Sequence, residues 1–219
     1  MGTALLEIGL GNKADRVGWS NGYQSTSGFR DAFRQTFGKP PGHIEGTDCI
    51  VIDWVESPLG PLVIGARMDG ICLLEFSDPR RLQMQLEQLK KSQGCPVVPG
   101  QHKYLDQLKS ELSSYFVGEL TEFRIPLTVK GTPFQEKVWK GLLDIPYGET
   151  RSYEGLAQAI GHPRAVRAVG RANGQNQIAI VIPCHRVINK NGKMGGYGGG
   201  LWRKQFLLNL EQTVCARSE

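Results

Sequence analysis

The sequence lacks the features that mark membrane and secreted proteins. Its longest apolar stretches, such as 178–183, are far too short to cross a bilayer. The start, 1–10, has neither a basic segment nor a long apolar one, so we expect no secretion signal. There is no internal repeat and no compositional bias towards disorder. These absences predict a cytoplasmic protein, or a nuclear one in a eukaryote, that does not associate with membranes.

Cysteine is scarce, and its spacing excludes the usual cysteine frameworks. The five cysteines are an odd number without any CxxC pair. A disulfide framework favours an even count in a smaller chain, and a zinc site needs clustered ligands. The histidines are scattered as well, at His43, His102 and His162. We therefore expect free thiols and no metal site.

An excess of acidic charge is also absent. Lysine and arginine total 26 against 21 for aspartate and glutamate, which gives a net charge of +5. A basic surplus suits a nucleic-acid partner but does not establish one. With 219 residues, of which 40% are apolar, the chain can bury the core of one large domain or two small ones.

Residues 1–42 are expected to form a small helical unit. Apolar residues at helical spacing predict helices over 12–21 and 25–37, and a serine can cap the second. The run Gly-Lys-Pro-Pro-Gly at 38–42 breaks helices and predicts a linker.

Residues 43–130 are expected to form a three-layer-like sheet and helix subdomain. Alternating apolar residues with an Asp-Gly hairpin turn predict strands, and apolar residues that share one face predict helices. The strands are expected at 49–56, 62–68 and 71–76, and the helices at 80–91 and 103–116.

Residues 131–219 are expected to form a helical subdomain. Two short helices at 152–160 and 164–173, with a glycine in the turn between them, match a helix-turn-helix. The other expected elements are helices at 132–143 and 201–211, an apolar run at 178–188 and a glycine-rich loop at 192–200. A sheet with its own helices followed by a helical part predicts an α+β protein.

The Pro-Cys-His-Arg string at 183–186 is the sharpest chemical feature. A lone buried cysteine is usually an inert filler, but Cys184 is followed by two polar residues inside an apolar run. A thiol attacks only as the thiolate, and an imidazole can take its proton, directly or through a water. His185 is either such a base or a satisfied core histidine. Arg186 is either a solvated charge or half of a buried pair.

Around this string the sequence resembles the O6-alkylguanine-DNA alkyltransferases. Ile-Pro-Cys-His-Arg-Val at 182–187 matches the active-site signature of that family. Further blocks match in the family's order and spacing, at 131–135, 146–153, 165–170 and 195–197, and then along the final helix to Glu211. The resemblance is dense over these blocks and looser over 49–130.

The resemblance implies DNA repair by a stoichiometric reaction that needs no cofactor. The partner would be double-stranded DNA carrying O6-alkylguanine, contacted by a monomer through the minor groove. The damaged nucleotide would flip out of the duplex, because the reacting atom must reach a protein pocket. O4-alkylthymine is left open as a second substrate. The active site would lie in the helix-turn-helix subdomain.

Catalytic roles carry over from the family motif position by position. Cys184 would be the nucleophile and alkyl acceptor, His185 its base through a water, and Glu211 the group that orients the histidine. Tyr153 would protonate the leaving guanine, with help from Lys204.

The resemblance also implies a guanine pocket. The carbonyls of Cys184 and Val187 would accept from the guanine amine, and Tyr197 and Gly198 would line the pocket. Gly198 stands where some relatives carry serine. Its amide can still donate to O6, and the missing side chain would leave a looser pocket.

DNA contacts are implied on the second helix of the helix-turn-helix. Arg167 would enter the base stack where the nucleotide has left, since a planar guanidinium can stack there. Asn176 would link the helix-turn-helix to the active-site segment. Ser152 and Arg186 complete the expected binding residues. Ala168 is expected to pack helix on helix.

The segment 22–38 carries a second resemblance, to the last helix-turn-helix of AraC-type regulators. In Ada-type proteins such a regulator domain precedes the alkyltransferase. A complete regulator domain has two of these motifs, and the cysteine-rich zinc module of Ada-type proteins is missing here. We expect a remnant or an auxiliary DNA-contacting unit.

Three alternatives stay open. One is a non-catalytic protein that binds alkylated DNA, although such proteins lack the acceptor cysteine that Cys184 supplies. Another is an Ada-like transcriptional regulator built on residues 14–42. The last is a Cys-His hydrolase, for which no oxyanion-hole motif is visible.

Overall fold

The computed structural model describes residues 1–9, 11–41, 43 and 48–218. Its helices and strands form a mixed architecture, which confirms the α+β expectation. No described helix is long and apolar enough to cross a membrane. All five cysteines are free.

Three helices form the N-terminal part: α1 (Gly2–Gly9), α2 (Ala14–Ser20) and α3 (Thr26–Phe37). The Ser25 hydroxyl caps α3 by accepting a backbone amide at 3.1 Å, and Gly38 ends the helix in the left-handed conformation with φ 71°. The sequence pattern predicts α2 and α3 but not α1. That helix is eight residues long and has no acidic first turn or basic last turn to reveal it.

A four-stranded sheet in the order β3-β2-β1-β4 follows. β1 (Ile50–Val55) pairs antiparallel with β2 (Leu62–Arg67), which pairs antiparallel with β3 (Gly70–Phe76). β4 (Val97–Pro99) runs parallel to β1 and is the outer strand against which α1 packs. The sequence misses β4, because three residues are too few to show alternation.

Two helices cover this sheet, α4 (Pro79–Gln93) and α5 (Lys103–Phe116). Proline at the first turn opens α4, and Gly94 closes it with φ 66°. α5 packs against β1, β2 and β3. Its buried face is the one that the periodicity predicts: Leu105, Leu108, Leu112 and Tyr115.

The C-terminal part is helical. Its helices are α6 (Pro133–Leu143), α7 (Tyr153–Ala159), α8 (Val166–Gly174) and α9 (Leu201–Ser218). α6 begins with a capping box, in which Thr132 and Gln135 each accept the other's backbone amide. α9 continues past its predicted end at residue 211, since no glycine or proline follows to break it.

The two halves join along β3. The Leu74 amide donates to the Gln177 carbonyl at 2.9 Å, and the Ala179 amide donates to the Leu74 carbonyl at 2.8 Å. A short parallel pair, β5 (Arg151–Ser152) and β6 (Val187–Ile188), ties the start of α7 to the end of the Pro-Cys-His-Arg string. This string is therefore held between the sheet and the helix-turn-helix.

Candidate active site

Cys184 opens a short 3₁₀ turn, Cys184–Arg186, and is only 6% exposed. The segment before it is tightly wound. The Cys184 amide donates to the Ile182 carbonyl at 2.8 Å, and Ile180 has φ 70°. A β-branched residue rarely adopts this left-handed conformation, so the surrounding structure must hold it there. Such local strain is common at functional sites.

Asn176 holds this segment together from within. It is 1% exposed, and its Nδ2 lies 2.8 Å from the Ile182 carbonyl and 3.1 Å from Sγ of Cys184. Its Oδ1 accepts the Ile178 amide at 3.0 Å. Asn176 lies two residues after the end of α8, so its contacts tie the end of the helix-turn-helix to the thiol.

His185 is fully buried against Glu211, with Nε2 2.8 Å from Oε1. Because the carboxylate can only accept, Nε2 carries the hydrogen, and the other ring nitrogen keeps its lone pair. That atom, Nδ1, is buried and has no hydrogen-bond partner among the described residues. Burial lowers the pKa of the imidazole, which the carboxylate partly opposes. A neutral histidine with a free lone pair can accept a proton.

Glu211 is the centre of a buried charge network. Arg186 donates to both carboxylate oxygens, at 2.8 and 3.0 Å, Tyr115 donates its hydroxyl at 2.7 Å, and Gly148 donates its amide at 3.2 Å. The contacts with His185 and Arg186 outweigh burial and lower the pKa of Glu211 to about 2. The carboxylate is therefore ionised at neutral pH.

Arg186 is the buried half of this pair. Its Nη1 donates to the Ile145 carbonyl at 2.7 Å, and its side chain is 9% exposed. The interpretation as a solvated charge is therefore wrong. Its guanidinium binds Glu211 and Ile145 inside the protein, which argues against the expected contact between Arg186 and DNA.

The thiol of Cys184 is protonated at rest. Burial raises its pKa, and the hydrogen bond from Asn176 and the charge of Arg81 oppose this only in part. A thiol with a raised pKa needs a base before it can attack. The neutral imidazole of His185, one residue further on, has the free lone pair for that task.

Tyr153 lies against the glycine-rich loop. Its hydroxyl is 3.5 Å from the Gly196 carbonyl, and a Cβ on Gly195 would come within 2.7 Å of its ring. Lys204 is fully buried and donates to the Val187 carbonyl. The contact that the structure shows for Lys204 is therefore with Val187, and its expected assistance of Tyr153 stays a prediction.

The carbonyls expected to receive the guanine amine already have partners. Val187 accepts from Lys204, and the Cys184 carbonyl accepts from Asn173 Nδ2 at 3.4 Å. The Cys184 carbonyl also accepts the Val187 amide, so both of its lone pairs already have donors. Tyr197 packs its ring edge-on against Phe76, and its buried hydroxyl has no hydrogen-bond partner among the described residues.

The helix-turn-helix borders a cavity of about 460 Å³. Its lining residues are Tyr153, Glu154, Val166, Arg167, Gly170, Asn189 and Lys190. Arg167 is exposed on α8, and Ser152 caps α7 by accepting the Gly155 amide at 2.9 Å. Ala168 is exposed too, so the expectation that it packs helix on helix is wrong: it lies on the outer face of α8.

A second buried carboxylate lies near the site and was missed from the sequence. Glu75 in β3 is fully buried and pairs with Arg81 at 2.8 Å and with Gln85 at 3.1 Å. A single glutamate inside an apolar strand is the signal that could have found it, because a charge is buried only with partners. Within the described residues, no group of three or more His, Cys, Asp or Glu could hold a metal.

These features define a class of protein. Asn176 ties a buried thiol to the end of a helix-turn-helix, and the residue after the thiol is a neutral histidine that is hydrogen-bonded to an ionised carboxylate. This arrangement describes a DNA-binding protein with a cysteine nucleophile.

Comparisons with known proteins identify the family. The model of the 6-O-methylguanine DNA methyltransferase ribonuclease-like domain matches residues 50–129, and that of the DNA-binding domain matches 133–213. A methylated-DNA–protein-cysteine methyltransferase of Mycobacterium tuberculosis is 47% identical over 73% of this chain and 90% of its own length. A constitutive one of Bacillus subtilis is 46% identical over 72% and 92%.

A solved structure agrees with these relatives. Mycobacterium tuberculosis OGT in complex with DNA matches with a TM-score of 0.64 and 42% identity, over 76% of this chain and 94% of that one. The chain therefore belongs to the methylated-DNA–protein-cysteine methyltransferase family. Its activity is the repair of alkylated DNA by transfer of the alkyl group to a protein cysteine, and DNA is its partner.

Proposed function

We propose that this protein transfers the alkyl group from O6-alkylguanine in DNA to Sγ of Cys184. The observation that carries the proposal is the environment of that thiol. Asn176 donates to the sulfur of Cys184. His185, the residue after Cys184, is a neutral base whose Nε2 is held by Glu211. This is the nucleophile, base and orienting acid of a catalytic triad. No cofactor is needed for the step.

The proposed step balances with the groups present. His185 takes the thiol proton through a water, the sulfur bonds to the alkyl carbon, and the bond from that carbon to O6 breaks. The departing guanine receives a proton from the Tyr153 hydroxyl, and the proton that His185 took passes through solvent back to the Tyr153 oxygen, so that neither residue keeps a charge. Burial and the nearby thiol raise the pKa of Tyr153, so this hydroxyl keeps its proton until the base accepts it. The thioether is stable, so each molecule reacts once.

Lys204 acts indirectly in this scheme. Its buried ammonium holds the Val187 carbonyl, so it positions the chain next to the thiol. Val187, Tyr197 and Gly198 line the guanine pocket. O4-alkylthymine is a second possible substrate, because its alkyl carbon is attached in the same way.

We infer that a monomer binds duplex DNA through α8 in the minor groove. Arg167 is exposed beside the cavity at Tyr153, where its planar guanidinium can fill the gap left by a flipped nucleotide. Because the substrate is cellular DNA, the expected location is the cytoplasm, or the nucleus of a eukaryote.

We also propose the division into units at 1–42, 43–130 and 131–219. In it, α1 to α3 are a remnant or auxiliary unit with one AraC-like helix-turn-helix. α1 packs on β4, the edge of the sheet opposite β3, whereas the active-site segment joins β3. This placement supports a role separate from the alkyl-transfer site.

The nucleophile is tested by comparing two cysteine variants. Cys184→Ala removes the proposed acceptor, and Cys95→Ala removes a half-buried thiol in the other subdomain. Repair of a duplex carrying O6-methylguanine should vanish in Cys184→Ala and persist in Cys95→Ala, while both variants still bind the duplex. Repair that survives in Cys184→Ala would refute the assignment.

A further inference from the structure

Glu75 is a buried charge that the proposed reaction does not use. Its Oε1 accepts the Phe76 amide at 2.9 Å, and its Oε2 accepts from Arg81 Nε at 2.8 Å and from Gln85 Nε2 at 3.1 Å. Gln85 Nε2 also lies 3.2 Å from the Asn176 carbonyl. A carboxylate in the sheet is thus linked to the asparagine that binds the reactive thiol.

Arg81 extends from this carboxylate to the helical half. Its Nη1 lies 3.4 Å from the carbonyl of Gly174, the last residue of α8. Its positive charge lowers the pKa of Cys184 and of the buried Tyr197 hydroxyl, against the effect of burial. One arginine therefore touches the sheet, the end of the DNA-contacting helix and the surroundings of the nucleophile.

Gly198 is shaped around this guanidinium. A Cβ built on Gly198 would lie 2.2 Å from Cζ and from Nη1 of Arg81, far inside van der Waals contact. Its three nearest atoms all belong to Arg81. Gly198 does not have a positive φ, so its backbone conformation does not require glycine. The crowding comes from the guanidinium of Arg81, whose Nε is held by the ion pair with the buried Glu75.

We propose that Arg81 is a positioning residue for alkyl transfer, and that Arg81 and Gly198 form a matched pair in which the guanidinium seats the glycine-rich loop beside Cys184. The inference rests on the proposed function. The loop carries Tyr197 and contacts Tyr153, so its position sets where the guanine lies relative to sulfur. A misplacement of about one ångström is enough to slow a reaction by on the order of 10²-fold.

A double-mutant cycle tests the pair. The variants are Arg81→Ala, Gly198→Ser and their combination, with Arg80→Ala as the control for charge, since Arg80 is exposed one position earlier. Purified full-length protein is mixed with a duplex carrying one O6-methylguanine. The rate constant of transfer and the final number of methyl groups per protein are both measured.

We expect each single variant to react about 10-fold more slowly while still reaching one methyl per protein. The double variant should be no slower than the slower single variant. Arg81→Ala has already removed the guanidinium that the serine of Gly198→Ser would displace, so the second substitution adds no further loss. Arg80→Ala should match the unmodified protein. If the variants of the pair match Arg80→Ala, or if their losses multiply in the combination, the inference is wrong.

A merely structural role of Arg81 would give a different pattern of final methyl count and rate constant. It would lower the final methyl count through misfolded protein and leave the rate constant of the active fraction unchanged, and that result would also overturn the inference. Arg81→Ala strands the buried Glu75. The same cycle is therefore repeated with Glu75→Gln in the background, which removes the charge together with its partner. If the unmodified protein transfers no methyl group, the proposed function fails and this inference fails with it.

Discussion

Replacing Glu211 with glutamine should both destabilise the protein and disable its base. The carboxylate accepts from His185, Arg186, Tyr115 and Gly148, and its contacts with His185 and Arg186 lower its pKa, against the effect of burial, from the ordinary 4.5 to about 2. At ~1.4 kcal/mol per pKa unit, this shift corresponds to about 3 kcal/mol of stability. The independent cost of stranding one partner of a buried ion pair, ~3–5 kcal/mol, has the same size.

The sign of the pH dependence follows from the lowered pKa. The contribution of Glu211 is fully present above pH 4.5 and is lost as the pH falls towards about 2. Urea unfolding should therefore show Glu211→Gln about 3 kcal/mol less stable than the unmodified protein at neutral pH, with the gap about halved near pH 3. The transfer rate should fall on the order of 10²-fold or more, because His185 loses the group that fixes its hydrogen.

The control is Glu119→Gln, which removes the charge of an exposed glutamate. It should change neither stability nor rate. A Glu211→Gln protein as stable as this control at neutral pH would refute the account of the buried network. A constant gap down to pH 3 would refute the titration argument.

Three further predictions concern proton transfer to His185, the role of Arg167 in the DNA base stack, and the contribution of the protein's net charge to DNA binding. Because burial lowers the pKa of His185, the transfer rate should stay level from about pH 8 to about pH 6.5; a rise of about tenfold per pH unit would show instead that the high-pKa thiol of Cys184 loses its proton directly to solvent. Arg167→Ala should slow repair of duplex DNA more than transfer from free O6-benzylguanine, with Arg217→Ala at the far end of α9 as the control; equal losses on both substrates would contradict the role in the stack. The affinity for duplex DNA should fall with added salt by about one unit of log–log slope per phosphate contact, and a flat response would mean that the net charge of +5 is incidental.

The sequence predicts those parts of the fold in which local signals are strong. The apolar face of α5 and the serine cap of α3 depend on residues three or four apart in the sequence, and both are present in the structure. The short elements α1 and β4 depend on packing against each other, so no local pattern reveals them. Ala168 was assigned to the wrong face, because a small residue on a short helix suits either packing or exposure.

The candidate site was predictable only where neighbours in sequence are neighbours in space. The Cys-His-Arg string marks the thiol, but the partners of Arg186 and Lys204 come from distant parts of the chain. The pairing of Glu75 with Arg81, and of Arg81 with Gly198, joins the sheet to a loop more than a hundred residues away. Contacts of this kind follow from the tertiary structure, so no regular spacing in the sequence predicts them.

Intact-protein mass spectrometry with peptide mapping tests the central claim most directly. The protein is mixed with a duplex that carries one O6-methylguanine, and Cys184→Ala is treated in parallel. The account predicts a gain of one methyl group, located on the peptide that holds Cys184 and absent from the variant. A methyl group on another residue, or a repaired duplex without any gain in protein mass, would contradict it.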